Sequence, residues 1–280
     1  MNKTIAITGA SSGIGLSTAL LFARKGWTVF AGTRNLEREQ ATYGNEPDLH
    51  WLKMDVTDTD SLQQAFATIA GKTGGKLDVL FCNAGFGYLR ALGQASMDEI
   101  RSVFDTNVYG VMNTIKIGLP LLCEAGKGHI LATSSVGGLV GQPFNEIYCA
   151  SKFAVEGLLE SLATYYKPLF NIDVTLVEPG AIATNFVQTV YKNLGETGGI
   201  LDDEYKSLID TYAGNFAKRA SVPQSADSVA EVVFDVVLRE EKPLRLRTSE
   251  AAEAFTAHKT QNDPTGLEGM LNTRKLHLGL

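Results

Sequence analysis

The chain has 280 residues, of which 44% are hydrophobic and 20% charged; this is the balance of a packed globular protein, and the length favours a single α/β domain over two. Lys plus Arg number 25 against 31 Asp plus Glu, so the net charge of −6 does not suggest nucleic acid as the main partner. Three cysteines (Cys82, Cys123 and Cys149), odd in number and without a CxxC pair, argue against a disulfide framework or a zinc site, and the four histidines show no metal-ligand spacing.

No apolar run is long enough to span a bilayer, and the N-terminus enters a β-rich run directly, with no charged leader and cleavage site; cytoplasmic residence is expected. Short β-rich runs lie at 4–8, 28–32, 50–54, 79–83, 128–133 and 174–177. Helical spacing occupies 14–25, 61–70, 98–122, 148–166 and 226–239. Strands alternating with helices imply right-handed crossovers and a doubly wound, mostly parallel sheet, the Rossmann architecture. In such a sheet, ligands bind at the carboxyl ends of the strands. Residues 1–184 are therefore expected to form the cofactor and catalytic core. The rhythm breaks over 185–222, where Gly195, Gly198 and Gly199 precede a polar helical stretch at 202–218. This segment is read as a substrate lid, with an ordinary surface insertion as the alternative. Residues 223–280 should supply a last helix, a strand and a loosely ordered tail around Gly266 and Gly269.

The first strand runs into Gly9-Ala10-Ser11-Ser12-Gly13-Ile14-Gly15, and a helix opens directly after it. Glycines allow a tight turn and close approach to a pyrophosphate, and free N–H groups at a helix start attract its charge. The strand–turn–helix context marks this as a dinucleotide site built from Gly9, Ser11, Ser12, Gly13, Ile14 and Gly15. At the end of the second strand, where an acid would hold the ribose of NAD, stands Gly32-Thr33-Arg34-Asn35. Arg34 can clamp a 2′-phosphate through its fork of donors, so NADP(H) is favoured, with NAD(H) retained as the alternative. Asp55 and Val56, ending the third strand, are candidate adenine contacts, with Asp55 an acceptor; Thr57 and Asp58 read as caps of the next helix. Asn83, Ala84 and Gly85 end the fourth strand; the small pair lets backbone pass close to the cofactor, and Asn83 can tie neighbouring strands together.

Tyr148 and Lys152 are four apart and share a helix face. An ammonium beside a phenol is expected to draw the tyrosine pKa down from about 10 toward the working range. Ser135 ends the fifth strand thirteen residues earlier and can hold and polarise a substrate oxygen that exchanges a proton with Tyr148. Asn107, inside a helix, can disturb it and hold a water that links Lys152 to solvent.

Together, TGxxxGIG at 8–15, Asn83-Ala84-Gly85, Asn107, Ser135, YxxxK at 148–152 and Pro179-Gly180 resemble the short-chain dehydrogenase/reductase family, over residues 3 to 185. The resemblance implies a seven-stranded Rossmann sheet, a homodimer or homotetramer, and Asn107, Ser135, Tyr148 and Lys152 as a catalytic tetrad. It also implies that Pro179, Gly180, Ile182 and Thr184 hold the nicotinamide end. Cys82 stands where the family usually has asparagine. The stretches 135–154, 242–247 and 263–266 are similar to the 17β-hydroxysteroid and retinol dehydrogenase branch, which implies an apolar, steroid-, retinoid- or other ketone-like substrate for interconversion of a carbonyl and an alcohol. Two rival functions are a non-catalytic NADP(H)-sensing protein and an isomerase or dehydratase that uses nicotinamide transiently.

Overall fold

Strands that are buried on both faces read as continuous apolar runs, and β1 (Thr4–Ile7) is buried at every position. The computed structural model describes residues 2–217 and 223–262, together with Glu268, Lys275, Leu276 and Gly279. After β1 come α1 (Gly13–Arg24), β2 (Thr28–Thr33), α2 (Leu36–Tyr43), β3 (Leu49–Lys53), α3 (Thr59–Thr73) and β4 (Val79–Cys82). The second half continues with α4 (Met97–Phe104), α5 (Gly110–Glu124), β5 (Gly128–Thr133), α6 (Glu146–Phe170), β6 (Ile172–Glu178) and β7 (Ile182–Ala183). It ends with α7 (Phe186–Glu196), α8 (Lys206–Ala217), β8 (Gln224–Ser225), α9 (Ala226–Leu238), β9 (Arg245–Arg247) and α10 (Glu250–Ala257).

Seven strands form one sheet in the order β3-β2-β1-β4-β5-β6-β9, every neighbouring pair parallel, as expected of a Rossmann domain. Side-chain alternation splits the core between its two faces. Ala6, Phe30, Leu80, Ile130 and Leu176 face α3, α5 and α6, where Leu62, Phe66, Ile115, Val155 and Leu159 are buried. Ile5, Ile7, Val29, Phe81 and Val177 face α1 and α9, through Phe22, Val229, Val233 and Val236. Leu158 and Leu162 pack against the first of these cores. The strand order reverses between β1 and β4, and the crevice opens there.

Several elements differ from their sequence pattern. The single helix expected over 98–122 is interrupted by a π-helical turn at Asp105–Tyr109 with Asn107 inside it, the kind of distortion that marks functional positions. Helix α2 was not anticipated, because Leu36–Tyr43 is short and polar; Asn35 caps it by accepting from Arg38 N. Asp58 caps α3, accepting from Asp60 N and Ser61 N. In 185–222 a further helix, α7, contains Gly195 and precedes Gly198 and Gly199, and α8 starts at Lys206. Lys218 and residues 219–222 lie outside the described residues, as do Gly266, Gly269 and the 263–266 stretch. Among the described residues no helix is long and apolar enough to cross a membrane.

Candidate active site

The carboxyl ends of β1, β2, β3, β4, β5 and β6 open onto a cleft of about 870 Å³, closed on one side by α7 and on another by α10. The proposed contacts Gly9, Ser11, Ser12, Gly13 and Ile14 line it, as do Arg34, Asp55, Val56, Asn83, Ala84 and Gly85. So do Ser135, Tyr148, Lys152, Pro179, Gly180, Ile182 and Thr184. Gly15 and Asn107 do not; both lie beneath the floor.

The β1–α1 turn is shaped for an anionic, extended ligand. Gly9 has φ +64 and a Cβ there would meet Ala84 Cα at 2.7 Å, so only glycine fits. Gly15 serves packing: a Cβ would fall 2.3 Å from the Gly9 oxygen and 2.5 Å from Asn83 Nδ2. Ser12 precedes α1 in extended conformation without capping it through its side chain, which leaves the first amides of the helix for an anion. This open helix start above a glycine cradle, inside a long cleft, fits a dinucleotide. Asn83 locks the turn to the neighbouring strands: Nδ2 donates to Thr8 O (3.3 Å) and Gly9 O (3.1 Å), and Thr133 Oγ1 donates to Oδ1 (2.9 Å). Thr8, whose role the sequence reading passed over, accepts through Oγ1 from the amides of Asn83 and Ala84, both at 3.1 Å.

Arg34 is exposed at the mouth and, among the described residues, forms no salt bridge. Asp55 accepts through Oδ1 from Thr57 N (3.0 Å) and Thr57 Oγ1 (2.7 Å). Desolvation opposes its ionisation, but these bonds and the fields of Arg34 and Lys53 outweigh it and lower the pKa.

At the inner end, Ser135 and Tyr148 come together over the same glycine: a Cβ on Gly137 would lie 3.4 Å from both Ser135 Oγ and Tyr148 Cε1. Ser135 caps the short 3-10 turn Val136–Gly138, its Oγ accepting from Gly137 N at 3.0 Å, which fixes the hydroxyl in place. Lys152 is buried, and its Nζ donates to the Thr133 carbonyl at 2.8 Å. The expected lowering of the Tyr148 pKa by Lys152 is not what the structure gives. Desolvation pushes the phenol up to about 12, and the neighbouring Ser135 hydroxyl only partly offsets it. Desolvation also pulls Lys152 down to about 8, opposed by the negative charge of Glu156. The lysine is spent on Thr133 and lies 5.8 Å from the Tyr148 ring centroid.

Asn107 sits in the π turn, fully buried. Its Oδ1 accepts from Phe86 N (3.0 Å), and its Nδ2 donates to Phe86 O (2.9 Å) and Ser151 Oγ (3.1 Å). The amide therefore holds the chain after β4 against α6, with one Oδ1 lone pair remaining. Gly85 makes room for this: a Cβ there would lie 3.1 Å from Asn107 Oδ1 and 3.4 Å from Lys152 Nζ.

The sequence reading missed the walls. Phe86, Leu89, Phe186, Val190 and Tyr191 give the outer cleft an apolar lining. Asn145 donates through Nδ2 to Tyr212 Oη at 3.1 Å, tying α8 to the catalytic helix. Buried Arg90 reaches α7's end, donating through Nη2 to Thr197 O (3.0 Å) and Thr197 Oγ1 (2.7 Å). Nothing in one-dimensional spacing signals these long-range contacts.

A family model described as short chain dehydrogenase matches residues 3–195. The human 17-beta-hydroxysteroid dehydrogenase type 1 is 38% identical over 266 residues, covering 89% of this chain and 79% of that protein. Bovine retinol dehydrogenase 8 is 37% identical over 277 residues, covering 94% and 86%. A solved short chain dehydrogenase/reductase from Burkholderia phymatum, in complex with NAD, superposes with a TM-score of 0.78 at 25% identity, covering 95% of this chain and 94% of that one.

Proposed function

The chain belongs to the short-chain dehydrogenase family, whose members interconvert alcohols and carbonyls, and from that premise we propose that this oxidoreductase uses NADP(H) on an apolar carbonyl or alcohol of steroid-, retinoid- or other ketone-like class. The observation that carries the proposal is the convergence of Ser135 and Tyr148 at the inner end of the cleft, beside buried Lys152. Arg34 supports NADP(H), since the end of β2 offers a guanidinium and no carboxylate at this point. The neighbour that carries NAD keeps NAD(H) as the alternative.

Bound nicotinamide would supply the hydride chemistry. Gly9, Ser11, Ser12, Gly13 and Ile14, with the amides opening α1, hold the pyrophosphate; Asp55 and Val56 border the adenine, and Pro179, Gly180, Ile182 and Thr184 the nicotinamide end. Ser135 and Tyr148 both donate to the substrate oxygen and stabilise charge developing there. A phenol near 12 stays protonated at neutral pH and gives up its proton only to a strong base, which an alkoxide is. Lys152 places positive charge under the tyrosine, and a water at the remaining Asn107 lone pair returns the proton. The described part of the lid segment, 185–217, covers the cleft; Phe186, Val190 and Tyr191 supply its apolar underside. The exposed Tyr109, Met112, Phe153, Tyr165 and Leu169 on and before α5 and along α6 support assembly into a homodimer or homotetramer.

Fluorescence titration with NADPH and NADH, followed by turnover with a panel of apolar ketones, tests this reading. Tight NADPH binding with NADPH-dependent reduction is expected. Tighter NADH binding overturns the cofactor assignment, and binding without turnover on any carbonyl favours a sensing protein instead.

A further inference from the structure

Behind the catalytic lysine lies a buried ionic cluster that the proposed reaction leaves unused. Ser134 follows β5 directly, its N–H donating to the Val177 carbonyl at 2.8 Å, and Glu178 is the next residue of β6. Glu156 sits on α6 one turn after Lys152, on the same helix face, and only 4% of its surface is exposed. Its Oε2 accepts from Arg245 Nε at 2.9 Å, and the same Nε lies 3.6 Å from Glu178 Oε1. Arg247 donates to Glu178 Oε2 at 2.9 Å and also pairs with Glu253. Glu156 Oε1 and Ser134 Oγ are buried with no hydrogen-bond partner. Both line the close approach of the 3-10 turn to the helix: a Cβ on Gly138 would lie 2.7 Å from Ser134 Oγ, 3.1 Å from Glu156 Cγ and 3.2 Å from the Lys152 oxygen.

A carboxylate this deep is costly unless its charge is used or matched. Arg245 matches it on one side only. The other oxygen, Oε1, is buried and without a hydrogen-bond partner, one helical turn from a lysine that is itself buried. We propose that Glu156, clamped by Arg245, is a positioning residue of the site: its carboxylate is the counter-charge that keeps Lys152 an ammonium in a dry environment. The inference rests on the reading of Tyr148 and Lys152 as the proton-handling pair.

The titratable and charged groups around the Glu156–Lys152 pair are Tyr148 and Glu160 on α6, Cys82 on β4, Glu178 on β6, Arg245 and Arg247 on β9, and Glu253 on α10. Glu156 is the group whose field raises the Lys152 pKa against burial, which lowers it, and the balance of the two leaves it at about 8. Removing the Glu156 charge therefore moves loss of the ammonium to lower pH.

Two readouts test this on the full chain: the Lys152 titration followed by 13Cε NMR, with the signal assigned by its loss in Lys152→Met, and the alkaline limb of kcat/KM for NADPH-dependent ketone reduction. Glu156→Gln should lower both midpoints by about one pH unit. Glu156→Met fills the same volume, and Arg245 keeps Glu160 and Glu178 as partners, so it serves where the glutamine variant does not fold. Glu156→Asp, which keeps the charge, should leave both midpoints close to the parent. An unmoved Lys152 midpoint in a folded neutral variant overturns the proposal, as does an Asp variant that shifts as far as Gln, since that outcome means packing alone. A shifted NMR midpoint in a protein that reduces no ketone supports the counter-charge and refutes the oxidoreductase reading; turnover with an unmoved midpoint does the reverse.

Discussion

The ring of Phe186, the first residue of α7, meets the ring of Tyr148 edge to face, with centroids 5.9 Å apart and planes at 65°. The start of α7 thus rests directly on Tyr148. Phe186 also fills the space over Gly87, where a Cβ would lie 2.6 Å from its ring. Phe186→Ala removes this aromatic contact, worth about 1 kcal/mol beyond simple burial, and opens the cleft to water. We expect KM for an apolar ketone to rise about tenfold, with a smaller loss in kcat, read by steady-state kinetics. An unchanged KM would show that α7 does not cover the bound substrate.

Tyr148→Phe keeps the ring and its contact with Phe186 but removes the only atom that can hand over a proton. Turnover should fall by about a thousandfold or more, while NADPH affinity, measured by fluorescence, stays within a few fold of the parent. Retained turnover would move the acid–base role away from Tyr148.

Much of this site is legible in the primary structure because its parts are local. The glycine turn, the Tyr148–Lys152 spacing and the Asp58 cap each depend on a few consecutive residues with one geometric solution. Asn107 is marked by its position in a helical pattern, though its attachment to Phe86 is not: that contact spans two elements, and no periodicity encodes it. Nor could spacing show that burial would overrule Lys152 in setting the Tyr148 pKa, because desolvation is a property of the assembled fold. Helix α7 escaped notice for a similar reason, since none of its residues is buried and what it covers is set by the assembled cleft.

Arg34→Ala tests the cofactor preference. A charge-assisted bond to a 2′-phosphate contributes about 1.5–3 kcal/mol, so NADPH should bind roughly ten- to a hundredfold more weakly, and NADH little differently. Equal losses for both, measured side by side, would remove the phosphate role.

Asn107→Ala deletes three hydrogen bonds and leaves the half-buried Phe86 N–H and C=O without their partner. The expected cost is about 2–4 kcal/mol in chemical denaturation. A loss below about 0.5 kcal/mol would mean that the π turn holds its shape without the asparagine.

Glu178 makes stability depend on pH. Burial and the nearby Glu156 raise its pKa from 4.5 to about 7, against the pull of Arg247 and Arg245. A group with a raised native pKa binds its proton more tightly when folded, so its contribution is full below 4.5 and is lost as pH rises through about 7. The stability gap between the parent and Glu178→Gln should therefore shift against the parent by on the order of 1–3 kcal/mol between pH 4.5 and 7. Urea unfolding at several pH values reads it, and a constant gap would assign the titration elsewhere.

Because every ladder of the large sheet is parallel, no two neighbouring strands can close by a simple hairpin, and each must wait for an intervening crossover to fold back. The outermost strand on one side, β9, pairs only with β6, and it carries Arg245, the partner of Glu156. A nascent chain that has not yet delivered residues 245–247 can lay down the glycine turn, the helix of Tyr148 and Lys152, and most of the sheet, yet cannot clamp the charge behind the lysine. Among the described residues β9 is the last strand in chain order, so the Arg245 clamp on Glu156 is the last of these parts to leave the ribosome.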